Sequence, residues 1–318
     1  MSLKHLRTLV AVANHRTFSD AALSVRLTHA AVSQHMSALE ADLGVSLFDR
    51  STRTPTLNTT GRALVERAKV LLRDYDDLVP SILDQDSYSG DFILGVVPTA
   101  LTGLAPRAIA ILKESFPNLR LQIRPGLTGP LVSALERHEL DAAVVTQPSL
   151  LPSRFAFEPI AEEPLRLVAS RDAQSDDPFD LLRTQPFIRF NRNAVVGTQI
   201  EVWIQNQGVT VNDTMELDNL DAILSMVYAN LGVSIVPYTS VAPFRPLPLK
   251  WINLGVPEPT RTLGFAYFTG TAKSAVVDKT VHVLTDVVDG QRDEMCPGRS
   301  RSSPLRRRTA PKSAAGQS

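Results

Sequence analysis

The sequence is short of the residues on which several protein classes depend. It contains one cysteine, Cys296, among 318 residues, so a disulfide framework is excluded and a reducing compartment is expected. Charged and histidine side chains interrupt every apolar run near the N-terminus, which argues against a signal peptide or a spanning helix. We therefore expect a cytoplasmic protein without membrane contact.

Sequence motifs of common enzymes and metal sites are also missing. There is no GxxxxGK[ST] loop, GxGxxG turn, HExxH helix or GxSxG elbow, and His138-Glu139 lacks a second histidine at ligand spacing. The six histidines are scattered along the chain. The sequence predicts no catalytic residue, no cofactor and no bound metal.

Net charge is absent as well, because Lys+Arg and Asp+Glu both total 33. The zero is a cancellation between segments: residues 1–62 carry net +3, residues 63–289 net −8, and residues 290–318 net +5. A basic N-terminal segment can contact a polyanion even in a neutral chain.

What the N-terminal segment does contain is a helix-turn-helix pattern. After a first amphipathic helix, a second is predicted from about Ser19, followed by a turn at Arg26-Leu27. Thr28 is placed to cap a third helix, residues 28–43, which Gly44 ends. Two short helices joined in this way form a DNA-binding motif, although any globular protein can contain such a pair.

Short and amide side chains predominate on the predicted outward face of the third helix. Such side chains suit hydrogen bonds and methyl contacts with base edges in the major groove of double-stranded DNA. Gln34 in particular can engage adenine through two hydrogen bonds. The predicted DNA-binding residues here are Thr28, His29, Ala30, Ser33, Gln34 and Ser37.

The surrounding sequence resembles the DNA-binding domain of LysR-type transcriptional regulators. That family shows an Ala-Ala pair, A-V-S, L-E-x-x-L-G-x-x-L-F-x-R and R-x-x-x-L-T-x-x-G. This chain supplies, in register, Ala21-Ala22, Ala31-Val32-Ser33, Leu39-Glu40, Leu43-Gly44, Leu47-Phe48, Arg50, Arg53, Leu57 and Gly61. It departs from the pattern at His29-Ala30, where Gln-Pro is usual, and at Asn58, where Thr is usual. The resemblance implies a winged helix-turn-helix over residues 1–59, in which Arg50 and Arg53 approach phosphates or the minor groove. The alternative is that these arginines form a salt bridge with Asp49 or Asp42 instead of contacting DNA.

Residues 60–88 are expected to form a linker helix and a hinge. Apolar residues recur at steps of four and three, which is an a/d seam for dimerisation or for packing on the chain's own domain. Pro80 falls within this seam and predicts a kink or an end near Val79. The seam residues are Leu64, Ala68, Leu71, Tyr75, Leu78 and Ile82.

Residues 89–288 alternate apolar strand patterns with helix patterns, which predicts an α/β domain built on parallel βαβ units. Phrases such as FPNLRLQIRPG and NLGVSIVP resemble the two-lobed, periplasmic-binding-protein-like effector domain of the same family. Lobe I is assigned to residues 89–146 and 262–288, and lobe II to residues 147–261, with the first crossing at 146–148. Overall the fold class is α/β with a winged helix-turn-helix in front.

Ligands of open α/β sheets bind at the carboxyl ends of strands, so the loops there predict an effector site. Threonines at helix starts suit an anion, and Arg189 suits a carboxylate, although the threonines also serve as caps and the arginine as a surface residue. The predicted effector-binding residues are Pro98, Thr99, Ala100, Leu127, Thr128, Gln147, Arg189 and Asn191.

The sequence thus predicts a DNA-binding regulator controlled by a small organic effector, with residues 289–318 as a disordered basic tail. Family resemblance implies a dimer of dimers, and RNA polymerase is a further candidate partner. The alternative is a small-molecule binding protein or an enzyme on the same fold without DNA function. Such a protein would leave the first sixty residues unexplained.

Overall fold

Three separate hydrophobic cores organise the chain in its computed structural model, which describes residues 1–15, 17–49, 55–83 and 90–295. One core lies in the N-terminal helices and two lie in the α/β region that follows. Among the described residues no helix is long and apolar enough to cross a membrane. The predicted fold class is confirmed.

The N-terminal domain consists of three helices and a short two-stranded wing. Thr17, rather than Ser19, caps the second helix: its hydroxyl accepts a hydrogen bond from the Asp20 amide and donates one to the Asp20 carboxylate. This reciprocal pair satisfies an otherwise free helix-end amide, which Ser19 inside the first turn cannot do. The elements are α1 Leu3–Asn14, α2 Phe18–Ser24, α3 His29–Leu43, β1 Phe48–Asp49 and β2 Thr56–Leu57.

A single long helix, α4 (Thr59–Leu83), leaves this domain. Ala68 of the predicted seam is buried in the N-terminal core beside Val65 and Leu72, and Leu64 packs against that core, so the first part of the seam packs on its own domain. Leu71 and Tyr75 of the same seam are 44% and 49% exposed. The side chains of Leu78 and Ile82 lie outside the described residues.

Pro80 does not end α4, which continues to Leu83. A proline removes one backbone donor and disturbs one turn. Near the end of a 25-residue helix that loss is small beside the contacts that the earlier turns make. The predicted end near Val79 is therefore wrong.

Lobe I is a five-stranded mixed sheet flanked by helices. Strands β3, β4 and β5 run parallel as predicted, and β11 and the first half of β6 extend the sheet with antiparallel pairing. The last helix continues to Met295, past the predicted start of the tail at residue 289; residues 296–318 lie outside the described residues. The elements are β3 Gly90–Val96, α5 Leu104–Ser115, β4 Leu119–Pro125, α6 Thr128–Glu136, β5 Ala142–Thr146, β6 Phe155–Ala169, β11 Thr260–Phe268 and α10 Ser274–Met295.

Lobe II has its own core, built on the second half of β6. Strands β9 and β10 pair with β6 in antiparallel fashion, whereas β7 and β8 form a parallel pair that a bridge at Phe187 and Val233 connects to β9. The elements are α7 Pro178–Thr184, β7 Pro186–Phe190, α8 Val195–Asn206, β8 Asn212–Leu217, α9 Leu220–Tyr228, β9 Ser234–Pro237 and β10 Lys250–Asn253.

The first crossing between the lobes lies within β6 and not at residues 146–148. Ala161 is packed in the core of lobe I and Leu165 in the core of lobe II, so the chain changes lobe between them. Two prolines, Pro159 and Pro164, interrupt the strand pattern there, so the sequence does not show that one strand continues from lobe I into lobe II. The return crossing lies at the start of β11, near the predicted boundary at residue 262.

Candidate DNA-binding face and effector cleft

The predicted reading face of α3 is open to solvent along its length. All six predicted residues on it are exposed, whereas Val32, Met36 and Leu39 on the opposite side are buried. Thr28 caps the helix by accepting a hydrogen bond from the Ala31 amide, as predicted. The side chains that could touch bases therefore lie on a rigid element whose other face is anchored.

Glu40 fixes the wing to α3, a role that the sequence motif did not reveal. Its carboxylate accepts hydrogen bonds from the Leu47 amide at 2.7 Å and from the Ser46 hydroxyl at 3.3 Å. Asn58 completes the junction by donating to the Ser46 carbonyl and accepting from the Gly61 amide at the start of α4. The wing residues Arg50 and Arg53 lie outside the described residues.

A half-buried histidine links α3 to the first helix. The His35 ring nitrogen Nδ1 and the Thr8 hydroxyl lie 2.9 Å apart, and the His5 ring packs against the His35 ring. Burial lowers the pKa of His35, and the neighbouring charges of His5 and Lys4 lower it further. This burial and these neighbouring charges therefore favour the neutral imidazole.

A small cavity lies between the two lobes at the carboxyl ends of their strands. Its volume is about 20 Å³, close to the space for one water molecule. Four predicted positions line it, namely Pro98, Thr99, Leu127 and Thr128. The residues of lobe II that line it are Phe190, Ala194, Val195, Val196 and Asp218.

Polar groups at this cavity are left without partners. Thr99 is 5% exposed, and its hydroxyl makes no hydrogen bond in the structure. The helices α6 and α8 both begin at the cavity, and neither has a side chain capping its first turn. Backbone amides from both lobes therefore converge where an anion could accept hydrogen bonds.

An arginine does lie at the cavity, but it is Arg261 and not Arg189. Arg261 is 1% exposed, and its Nε and Nη2 donate to one carboxylate oxygen of Glu163 at 2.9 and 2.6 Å. Its Nη1 donates to the Thr146 hydroxyl at 3.2 Å. Both members of the pair lie where β6 and β11 cross between the lobes.

The other four predicted effector residues do not line the cavity. Arg189 is buried beside β8, where its guanidinium donates to the carboxylates of Asp213 and Glu201. Asn191 accepts from the Asn193 amide, and Ala100 is buried in the core of lobe I. Gln147 faces a different groove. Arg189 was misplaced because its acidic partners are distant in the sequence.

Sequence comparisons match both the N-terminal domain and the two-lobed region to known families. Residues 3–62 match the family model described as bacterial regulatory helix-turn-helix protein, lysR family, and residues 85–289 match the LysR substrate binding domain. The HTH-type transcriptional regulator CzcR of Bacillus subtilis (strain 168) is 30% identical over 241 residues, which cover 76% of this chain and 82% of that protein.

Solved structures show the same architecture over nearly the whole chain. Full-length OxyR of Pseudomonas aeruginosa aligns with a TM-score of 0.66 at 24% identity, covering 91% of this chain and 94% of that one. Full-length CbnR in complex with its target DNA aligns with a TM-score of 0.67 at 18% identity, covering 90% of this chain and 100% of that one. At these identities the likeness concerns the fold.

Proposed function

This chain belongs to the LysR family of DNA-binding transcriptional regulators with an effector-binding domain. From that premise we propose which of its residues contact DNA, a second chain and the effector. The observation that carries the DNA-binding part is the exposed face of α3 above an anchored core. In this proposal α3 enters the major groove, and its residues Thr28, His29, Ala30, Ser33, Gln34 and Ser37 contact DNA.

Base reading and phosphate contact are assigned to different parts of this domain. Gln34, which is exposed in the middle of α3, reads one base pair, whereas the wing residues Arg50 and Arg53 contact the DNA backbone. Gln34→Ala is expected to relax sequence preference at one position, while Arg53→Ala weakens binding to all sites alike. Selection of genomic fragments by the purified protein, followed by sequencing, measures both effects. Equal losses on every sequence for both variants contradict the assignment.

Dimerisation is assigned to the exposed part of α4. Leu71 and Tyr75 remain largely solvent-accessible in a helix whose other face is buried, and such residues commonly form a contact with a second chain. A pair of helix-turn-helix domains then reaches two half-sites about one helical turn apart, or a multiple of that spacing. We further propose that two such dimers form a tetramer, which sedimentation velocity on the full chain would detect.

The effector of this regulator is proposed to be a small carboxylate held between the lobes. The Thr99 hydroxyl and the first-turn amides of α6 and α8 supply donors from both lobes. Thr128 lines the same cavity from lobe I. A ligand that contacts both lobes favours one lobe arrangement and so shifts the placement of the paired DNA-binding domains.

Thr99→Val tests the effector assignment because it removes the unpartnered hydroxyl while keeping the side-chain shape. Calorimetric titration with a panel of small carboxylates is expected to show binding to the wild type that weakens in this variant. Thr198→Val is a matched control, since Thr198 does not line the cavity and its hydroxyl already donates to the backbone carbonyls of Arg192 and Ala194. If every carboxylate binds both variants as well as the wild type, the cavity is not the effector site.

Regulators of this family are not enzymes, and we propose no catalytic role for the chain. Its proposed location is the cytoplasm, where promoter DNA and RNA polymerase are its partners. Transcription from a bound promoter in a purified system, with and without the protein, tests the polymerase contact directly.

A further inference from the structure

A second and much larger concavity lies on the opposite side of the hinge strands from the effector cleft. Its volume is about 690 Å³, within the range of about 300–1,000 Å³ that is typical of small-molecule sites. We call it the hinge groove. It is lined by Gln147, Pro148, Ser149, Leu165, Val195, Thr198, Gln199, Val202, Trp203, Asn206, Pro259, Thr260 and Thr262.

Strand alternation separates the hinge groove from the cleft. Arg261 of β11 points to the cleft, so its neighbours Thr260 and Thr262 point to the other face of the sheet and line the groove. At the end of β5 the same holds for Thr146, which lines the cleft, and Gln147, which lines the groove. The two linings share only Val195, at the start of α8, so a ligand in the hinge groove is not an extension of one in the cleft.

The groove touches both lobes. Gln147 follows β5 of lobe I, whereas Thr198 and Val202 lie one turn apart on α8 of lobe II. Leu165 and Thr260 belong to the two strands that cross between the lobes. An occupant here would contact the hinge itself and both bodies that the hinge connects.

The lining of the groove indicates the chemical class of its ligand. Among the described residues that line it there is no charged side chain, and Glu162 lies close by, accepting a hydrogen bond from the Thr262 hydroxyl. An anion would lose its hydration there without gaining a cationic partner. Proline, leucine and valine side chains together with Trp203 provide apolar and aromatic surface.

One polar group in the groove is left without a partner. The Gln199 amide oxygen is buried and makes no hydrogen bond in the structure. A buried amide oxygen of this kind gains from a ligand that donates an N–H or O–H group.

We propose that the hinge groove binds a small, uncharged, planar molecule that carries a hydrogen-bond donor. The ligand lies against Val202 and Trp203 and donates to the Gln199 amide oxygen, which a rotation of that side chain turns into the groove. It acts from the side of the hinge that the carboxylate effector does not reach, and the proposal does not depend on that effector.

Benzamide and benzoate are matched probes for this site, because they share a ring and differ in charge and donor. The full chain carrying Trp251→Phe keeps Trp203 as its one tryptophan, so its fluorescence reports on the groove. Benzamide is expected to bind saturably, and benzoate at least tenfold more weakly. Gln199→Met should weaken benzamide binding and so narrow that difference, because it keeps the side-chain length and removes the amide oxygen that accepts from benzamide.

Val202→Glu places a charge in the groove at a position that is 49% exposed in the native chain, which protects folding. It is expected to weaken benzamide binding at least tenfold. The matched control is Val45→Glu, on a valine that is 44% exposed in the DNA-binding domain, which should leave benzamide binding unchanged.

Four outcomes overturn the proposal. The first is that benzamide fails to saturate by about 10 mM, the weak limit for a ligand of this size. The second is that Val202→Glu has no effect on benzamide binding, and the third is that benzoate binds as tightly as benzamide while Val202→Glu weakens the binding of both. The fourth is that Val202→Glu, unlike Val45→Glu, changes the sedimenting mass, which would show that a second copy of the chain covers the groove. Loss of carboxylate binding in Thr99→Val concerns the cleft alone.

Discussion

The buried ion pair between Arg261 and Glu163 gives a sharp test of how the two lobes are held together. The two side chains are 1% and 2% exposed, and every partner of the Glu163 carboxylate is a donor: the guanidinium on one oxygen and the Ser240 amide on the other. Glu163→Gln keeps the shape but replaces one acceptor oxygen with a donor. Its NH2 group must then face either the Ser240 amide or the guanidinium.

The expected cost of Glu163→Gln is about 3–5 kcal/mol, the usual cost of leaving a buried charge without its partner. The retained amide oxygen still accepts from one side, so the lower end of that range, about 3 kcal/mol, is expected. In a domain of about 200 residues this lowers the melting temperature by about 6–12 °C.

Tryptophan fluorescence during heating provides the assay, since both tryptophans, Trp203 and Trp251, lie in lobe II and report on the effector domain. Glu162→Gln serves as the control: it is the exposed neighbour whose carboxylate accepts one hydrogen bond from Thr262, and it should change the melting temperature by less than about 2 °C. A loss below about 1 kcal/mol for Glu163→Gln, or an equal loss for both variants, refutes the reasoning.

Three further predictions concern the DNA-binding domain and α4. Tyr75→Glu should weaken self-association at least tenfold without changing thermal unfolding, because Tyr75 is exposed on the part of α4 to which dimerisation is assigned. Sedimentation equilibrium measures the association and circular dichroism the unfolding, and an unchanged association constant contradicts the assignment. Because the folded-state pKa of His35 is lowered, the stability it contributes is complete above its unfolded pKa of about 6.5 and is lost as pH falls through the folded value. His35→Gln should therefore flatten the loss of stability between about pH 7 and pH 5, and an unchanged pH profile contradicts this. Gly61→Ala should destabilise the DNA-binding domain by about 2 kcal/mol or more, because its Cβ would lie 2.2 Å from the Leu47 carbonyl oxygen. Gly129→Ala, which has open space around it in lobe I, should not destabilise its own domain. Equal losses of stability for the two variants refute the packing argument.

Features fixed by neighbouring residues could be predicted from the sequence. Thr28 caps α3 through an amide three residues away, and Gly44 ends that helix with a φ of 67°, so a short segment contains all the information. The exposed face of α3 follows from the same periodicity that buries Val32 and Met36. The parallel βαβ order of lobe I was predicted for the same reason.

Features that depend on distant partners could not be predicted. Arg189 lies near the end of β7 and Arg261 near the start of β11, and nothing in the neighbouring sequence distinguishes the two. Arg189 turns away because Asp213, which lies 24 residues later, pairs with it across β7 and β8. Arg261 reaches the cleft because Glu163, 98 residues earlier, holds it at the crossing of two antiparallel strands.

The size of the cleft constrains how an effector can act. A cavity of about 20 Å³ admits one water-sized group, so a carboxylate with any carbon skeleton enters only if the lobes move apart. That movement is restricted, because a third connection joins the lobes beside β6 and β11. Val241, beyond β9, is buried in the core of lobe I, and Arg107 donates hydrogen bonds to the carbonyls of Ala242 and Gly103. The contacts of this third connection favour a small rotation of the lobes, which would widen the cleft, over a wide separation like that of a two-strand hinge. For the proposed effector we therefore expect that its binding free energy favours one small rotation of the lobes, which is the kind of change that shifts a two-state regulator.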